Sequence, residues 1–185
     1  DPRPDTETLV EWALEVLPHE TSARVIDLGT GSGAIALALK AARPHLTVIA
    51  LDYSTDALAV AQANAQRLQL DVQCIQGSWL DSVEGRFAAI VSNPPYIRAD
   101  DRHLEALTHE PLQALASGHD GLDDIRHIIA QAPEHLEPGG WLLLEHGYDQ
   151  APSVRALLST AGFTHVQSRQ DLAGIARCSG GRWPA

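Results

Sequence analysis

Short apolar runs and amphipathic helical segments alternate along most of this 185-residue chain. Runs rich in Val, Ile, Leu and Ala, typical of buried strands, cover residues 23–29, 46–52, 71–77, 86–92 and 139–147. Segments with a helical spacing of apolar residues cover residues 6–17, 33–42, 54–68, 121–136 and 151–162. Because strands that are apolar on both sides need cover on both, this alternation predicts a parallel sheet between two layers of helices.

The last two strand-like runs, 163–170 and 174–183, follow one another without a helix between them. A parallel pair would need a crossover of about a dozen residues or more, so these two runs should pair antiparallel. The complete pattern predicts an α/β fold with a doubly wound, mostly parallel seven-stranded sheet that ends in this antiparallel pair. Residues 93–120 form the one long irregular segment, and such loops usually carry function.

Composition narrows the class of protein and of partner. The chain is 44% hydrophobic and 20% charged, which indicates one soluble domain, and no apolar run is long enough to predict a membrane span. Thirteen Lys and Arg against 24 Asp and Glu give a formal net charge of -11, which disfavours a nucleic-acid substrate because phosphates call for a basic face. Two cysteines without an export signal predict a cytoplasmic protein, and the nine histidines show no zinc-site spacing, so no metal is expected.

The glycine-rich turn "DLGTGSG" between the first strand and the next helix is the first candidate binding site. Its glycines, Gly29, Gly31 and Gly33, let a ligand approach the backbone without meeting a Cβ. Asp52 ends the second strand about twenty residues further on, where an acid bonds ribose hydroxyls in nucleotide-binding doubly wound folds. The spacing also fits a dinucleotide fingerprint, so the turn alone favours S-adenosylmethionine over NAD only modestly.

The corner Asn93-Pro94-Pro95-Tyr96 ends the fourth strand, because proline donates no ladder hydrogen bond and fixes its own φ. Ligands of open parallel sheets lie beyond the strand ends where the winding reverses, so this corner and the glycine turn should share one crevice. The rigid corner would present the Asn93 side-chain oxygen and the Pro94 carbonyl to the two hydrogens of a planar –NH2, with Tyr96 stacked on it. This clamp would orient a carboxamide or base amine toward a methyl donor, mainly by positioning. The structural alternative is an Asn-Pro turn that merely ends an edge strand.

Several segments together resemble the protein-(glutamine-N5) methyltransferases of the HemK family, which methylate the glutamine of the Gly-Gly-Gln motif in peptide chain release factors. These segments are "DPRPDTETLVE", "DLGTGSGAIALALK", "IVSNPPYI", "HEPLQALASGHDGLDDIRHII" and "GGWLLLEHG". The resemblance implies a class I, Rossmann-like methyltransferase that uses S-adenosylmethionine and leaves S-adenosylhomocysteine. It also implies that residues 1–185 are the catalytic domain, without the family's helical N-terminal docking domain. A monomer is the working expectation.

The resemblance assigns roles to the residues of both sites. The residues that would line the methyl donor are Asp27, Gly29, Thr30, Gly31, Ser32, Gly33 and Asn93. Asp52 would hold the ribose, and Trp79 would lie near the adenine. The residues that would bind the target glutamine are Asn93, Pro94, Pro95 and Tyr96. Ser78 stands where many relatives have an acid, so the resemblance does not carry over a carboxylate contact with the adenine amine, and a backbone amide at Ser78 or Trp79 could replace it.

Other functions fit parts of the pattern. A methyltransferase that modifies a glutamine of a ribosomal protein would carry Ser-Pro where this chain has Pro4-Asp5. An N6-adenine or RNA amino methyltransferase would use the same clamp, but the net negative charge disfavours it. An NAD-dependent oxidoreductase leaves the clamp unexplained, and a non-catalytic binding domain could keep the fold alone.

Overall fold

The strands and helices follow the order that the hydrophobic pattern predicts. A computed structural model of the protein describes residues 4–19, 22–94 and 120–185. Its strands are β1 (Arg24–Leu28), β2 (Thr47–Asp52), β3 (Gln73–Gln76), β4 (Phe87–Ser92), β5 (Leu136–Glu145), β6 (Thr164–Gln170) and β7 (Ala176–Arg182). The α-helices of the described residues are α1 (Pro4–Val16), α2 (Ala34–Ala42), α3 (Thr55–Leu68), α4 (Asp123–Gln131) and α5 (Ala151–Thr160).

The seven strands form one mixed sheet in the order β3-β2-β1-β4-β5-β7-β6. The first five strands pair parallel with one another, and β7 pairs antiparallel with both β5 and β6. The predicted sheet with its antiparallel C-terminal pair is therefore confirmed. The insertion of β7 between β5 and β6 was not predicted, since local pattern does not say which strand neighbours the parallel part.

Both faces of the sheet are covered, because successive side chains of each strand point to opposite sides. On one face, Val25 and Leu143 belong to the buried cluster formed with α1, α2 and part of α3. On the other face, Ile26 and Leu142 belong to the cluster formed with α4 and α5. No helix among the described residues is both long and apolar enough to cross a membrane.

The helix predicted over residues 121–136 is shorter in the structure, so that prediction was wrong at its C-terminal end. The α-helix α4 ends at Gln131, and a 3-10 helix covers Ala132–His135. Pro133 explains the change, because its ring lacks an N–H and clashes with the carbonyl four residues earlier in an α-helix. Strand β5 then begins at Leu136, three residues earlier than predicted.

Candidate active site

The glycine turn and the Asn-Pro corner begin side by side at the centre of the sheet. Leu28 and Ser92 are Cα partners at the ends of the parallel strands β1 and β4. Gly29 directly follows Leu28, and Asn93 directly follows Ser92. The sheet extends in opposite directions from these two strands, so the glycine turn and the Asn-Pro corner begin where doubly wound folds bind ligands.

The glycines of the turn serve different purposes. Gly29, Gly31 and Gly33 all have positive φ, at 69°, 57° and 87°. A Cβ on Gly31 would meet nothing within 4 Å, so its backbone faces open space that a ligand can enter. A Cβ on Gly33 would lie 3.2 Å from the Cβ of Ala61, so this glycine lets the turn pack against α3. Ser32 is exposed, and its carbonyl accepts a hydrogen bond from Asn64 Nδ2 at 3.0 Å.

Asp52 ties the glycine turn to the end of β2. Its Oδ2 accepts the Gly31 N–H at 2.8 Å, and its Oδ1 accepts the Ser54 N–H at 2.9 Å. The backbone also joins the two elements, since the Thr30 N–H donates to the Leu51 carbonyl at 2.9 Å. Each carboxylate oxygen keeps a second lone pair. Asp52 is therefore placed to hold the turn and to accept from ligand hydroxyls at the same time.

Asp27 and Thr30 form a buried pair beneath the turn. The Thr30 hydroxyl donates to Asp27 Oδ2 at 2.8 Å, so the Thr30 side chain forms its hydrogen bond within the protein. Burial raises the pKa of Asp27 to about 7, the hydrogen bond from Thr30 opposes this rise, and the negative charge of Asp52 adds to it. The Ala36 amide is close enough to lower the pKa as well, but Asp27 Oδ1 has no well-formed hydrogen bond with any described residue.

Trp79 borders the turn on the side of β3. Its ring lies 3.3 Å from the position that a Cβ on Gly29 would take. Its Nε1 donates to Asp124 Oδ1 at 3.1 Å, which fixes the indole against the first turn of α4. Ser78 is exposed beside it. Asp124 was not predicted from the sequence, and its only signal was the acidic start of the helix.

The corner that follows β4 is described only in part. Asn93 is partly buried and Pro94 is buried, directly after the strand. Pro95 and Tyr96 lie outside the described residues. Ser92 was missed by sequence reasoning, although it is the single hydroxyl in the apolar strand "FAAIVS". Its Oγ donates to the Leu28 carbonyl at 2.7 Å.

Hydrogen-bonding groups, rather than a cluster of metal ligands, make up the described part of the crevice. Within residues 4–19, 22–94 and 120–185, no group of three or more His, Cys, Asp or Glu side chains could hold a metal ion. The groups that the crevice offers to a ligand are the backbone of the glycine turn, the carboxylate of Asp52 and the indole of Trp79.

Comparisons with known proteins agree with this arrangement. The family model described as "Methyltransferase small domain" matches residues 6–168. The release factor glutamine methyltransferase of Xylella fastidiosa strain Temecula1 is 52% identical over 187 residues, covering 99% of this chain and 68% of the relative. The enzyme of the same name from Coxiella burnetii is 49% identical over 178 residues, covering 95% of this chain and 64% of the relative. The chain thus spans about two thirds of the length of these relatives.

A solved structure of similar length matches the whole chain. It is the protein-(glutamine-N5) methyltransferase (release factor-specific) from Alicyclobacillus acidocaldarius, with 33% identity and a TM-score of 0.63. The match covers 100% of this chain and 94% of that one. Together with the family model and the sequence relatives, it shows that this chain belongs to the release factor glutamine methyltransferases, within the methyltransferase small domain family.

Proposed function

We propose that this chain transfers a methyl group from S-adenosylmethionine to the side-chain amide nitrogen of the glutamine in the Gly-Gly-Gln motif of a peptide chain release factor. The observation that carries the proposal is the pairing of Leu28 with Ser92. Because of this pairing, the glycine turn and the Asn-Pro corner begin at neighbouring strand ends. The methyl donor and the target amide can therefore meet in one crevice.

The glycine turn fits the methyl donor better than a dinucleotide. When bound, S-adenosylmethionine would supply an electrophilic methyl group together with a ribose and a charged amino-acid tail. Asp52 would accept hydrogen bonds from the ribose hydroxyls, and the open backbone at Gly31 would admit the ligand. The buried carboxylate of Asp27 would act from beneath the turn, where its negative charge would favour a positively charged amino group. Trp79, held by Asp124, would border the adenine.

The Asn-Pro corner supplies the second half of the reaction. The nitrogen of a carboxamide is a poor nucleophile, because its lone pair is delocalised into the carbonyl. Asn93 Oδ1 and the Pro94 carbonyl would accept its two hydrogens, fix the plane of the group and favour pyramidal nitrogen. Pro95 and Tyr96 would stiffen the corner and stack on the amide. The corner would act mainly by positioning, and one amide proton leaves once the nitrogen has gained the methyl group.

The relatives' names support a release factor as the protein partner. On this proposal residues 1–185 act as the catalytic domain, in the cytoplasm where translation ends. A nucleic-acid substrate is not part of the proposal, because the net charge of -11 gives little attraction for phosphates.

Methyl transfer from tritium-labelled S-adenosylmethionine to a purified release factor tests the proposal. We expect label in the release factor, and little or none in a release factor whose Gly-Gly-Gln glutamine is replaced by asparagine. The Asn93→Ala variant of this chain should transfer label at least about a hundredfold more slowly while it still binds S-adenosylhomocysteine. Equal label in both release factors would show that this glutamine is not the target, and would overturn the proposal.

A further inference from the structure

The last paired residues of β1 and β4 are joined by a side chain as well as by their backbones. Leu28 and Ser92 close the parallel register, and Ser92 Oγ donates to the Leu28 carbonyl at 2.7 Å. Ser92 is fully buried. One residue further along, β1 continues into the glycine turn and β4 into the Asn-Pro corner.

Packing alone does not account for a hydroxyl at this point. The other residues of β4, "FAAIV", are all apolar, and a buried hydroxyl loses its hydrogen bonds to water. A small apolar residue would avoid that loss. The hydroxyl adds a directional hydrogen bond between β1 and β4 at the point where their backbone pairing ends. This bond limits how far Gly29 and Asn93 can move apart.

We propose that Ser92 is a positioning residue that fixes the distance between the methyl donor and the target amide. This inference rests on the proposed function, since it assigns Gly29 to the donor side and Asn93 to the acceptor side. Methyl transfer requires the amide nitrogen and the methyl carbon to lie in line and nearly in contact, and a displacement of about 1 Å can cost about a hundredfold in rate. Ser92 acts through the two loops and touches neither reactant.

Two substitutions separate the hydrogen bond from the volume of the side chain. Ser92→Ala removes both, and Ser92→Cys keeps the volume but offers only a weak S–H donor. We expect single-turnover methyl transfer at saturating S-adenosylmethionine to fall about 10- to 100-fold in Ser92→Ala. The dissociation constant for S-adenosylhomocysteine should stay within about twofold. The Cys variant should resemble Ala in rate, and it keeps the test open if the Ala variant does not fold.

Ser179→Ala is the matched control. Ser179 is also fully buried and lies on β7, two strands away from Ser92 across the sheet. Its Oγ is hydrogen-bonded to His146 Nε2 at 2.7 Å and to Ser168 Oγ at 2.6 Å. The Ser179→Ala variant should lower the melting temperature as Ser92→Ala does and leave the rate of methyl transfer unchanged. Wild-type transfer rates in Ser92→Ala, wild-type rates in Ser92→Cys, or equal rate losses in Ser92→Ala and Ser179→Ala would each overturn the positioning role. Absence of transfer by the wild-type chain would instead refute the proposed function, and the positioning role with it.

Discussion

Asp27→Asn should stabilise the protein, and more strongly as the pH rises. Asp27 is 1% exposed, and burial raises its pKa from the ordinary value of 3.8 to about 7. An acid with a raised pKa binds its proton more tightly in the folded state than in the unfolded state. Its contribution to stability is therefore greatest below about pH 4 and declines as the pH rises toward 7. Asparagine has nearly the same shape, can still accept from Thr30 and carries no charge at any pH.

The size of the effect follows from the two pKa values. A difference of about three pKa units, at about 1.4 kcal/mol each, amounts to about 4 kcal/mol well above pH 7. Part of that cost is already present at pH 5, where the unfolded state has lost its proton. The advantage of Asp27→Asn over the wild type should therefore grow by about 2 to 3 kcal/mol between pH 5 and pH 8.

Urea unfolding at pH 5 and pH 8, followed by tryptophan fluorescence, measures the free energy of unfolding for both proteins. Asp56→Asn, on the exposed first turn of α3, is the control and should change stability by less than about 1 kcal/mol at either pH. A stability difference between Asp27→Asn and the wild type that stays constant or shrinks from pH 5 to pH 8 would refute the reasoning.

The remaining predictions concern the two halves of the crevice. Asn93→Ala should lower methyl transfer by about a hundredfold or more, because the target amide loses its orienting acceptor. The dissociation constant for S-adenosylhomocysteine, measured by calorimetry, should stay within about twofold of the wild-type value. Unchanged turnover would show that Asn93 is not part of the clamp. Asp52→Ala should weaken the binding of S-adenosylhomocysteine by about 10- to 100-fold, since the carboxylate no longer accepts from the ribose hydroxyls or from the Gly31 amide. An unaffected dissociation constant would contradict the ribose contact. Gly31→Ala and Gly33→Ala should both lower the melting temperature, because alanine is strained at these positive φ values. Gly31→Ala should in addition weaken donor binding by placing a methyl group in open space, whereas the Cβ of Gly33→Ala would lie against Ala61 at 3.2 Å and affect binding less; weaker binding in Gly33→Ala than in Gly31→Ala would show that the turn faces the ligand differently.

The sheet could be predicted because its information is local. The apolar strands and the short link between residues 170 and 174 indicate strand type and direction without knowledge of the rest of the molecule. Asp52 could be paired with the turn because both stand at the carboxyl ends of parallel strands, which meet at one edge of the sheet. The end of α4 was also in the sequence, since Pro133 marks it, but helical spacing was extended through the proline.

The site's supporting contacts could not be predicted in the same way, because they join residues that are distant in the chain. The bond from Ser92 to Leu28 spans 64 positions and that from Trp79 to Asp124 spans 45. The inward turn of Thr30 toward Asp27 is a local contact, but its direction depends on a buried carboxylate. Such contacts follow from packing in three dimensions, whereas the sequence pattern gives only the order of the elements.

Locating the methyl group tests the central claim most directly. A release factor is incubated with this chain and S-adenosylmethionine that carries a deuterated methyl group, and tandem mass spectrometry then assigns the labelled atom. We predict the label on the side-chain nitrogen of the Gly-Gly-Gln glutamine and nowhere else, and at least about a hundredfold slower labelling when Asn93→Ala replaces the wild type. A label on another residue, or an undiminished label with Asn93→Ala, would contradict the claim that this crevice holds a planar amide against a methyl donor.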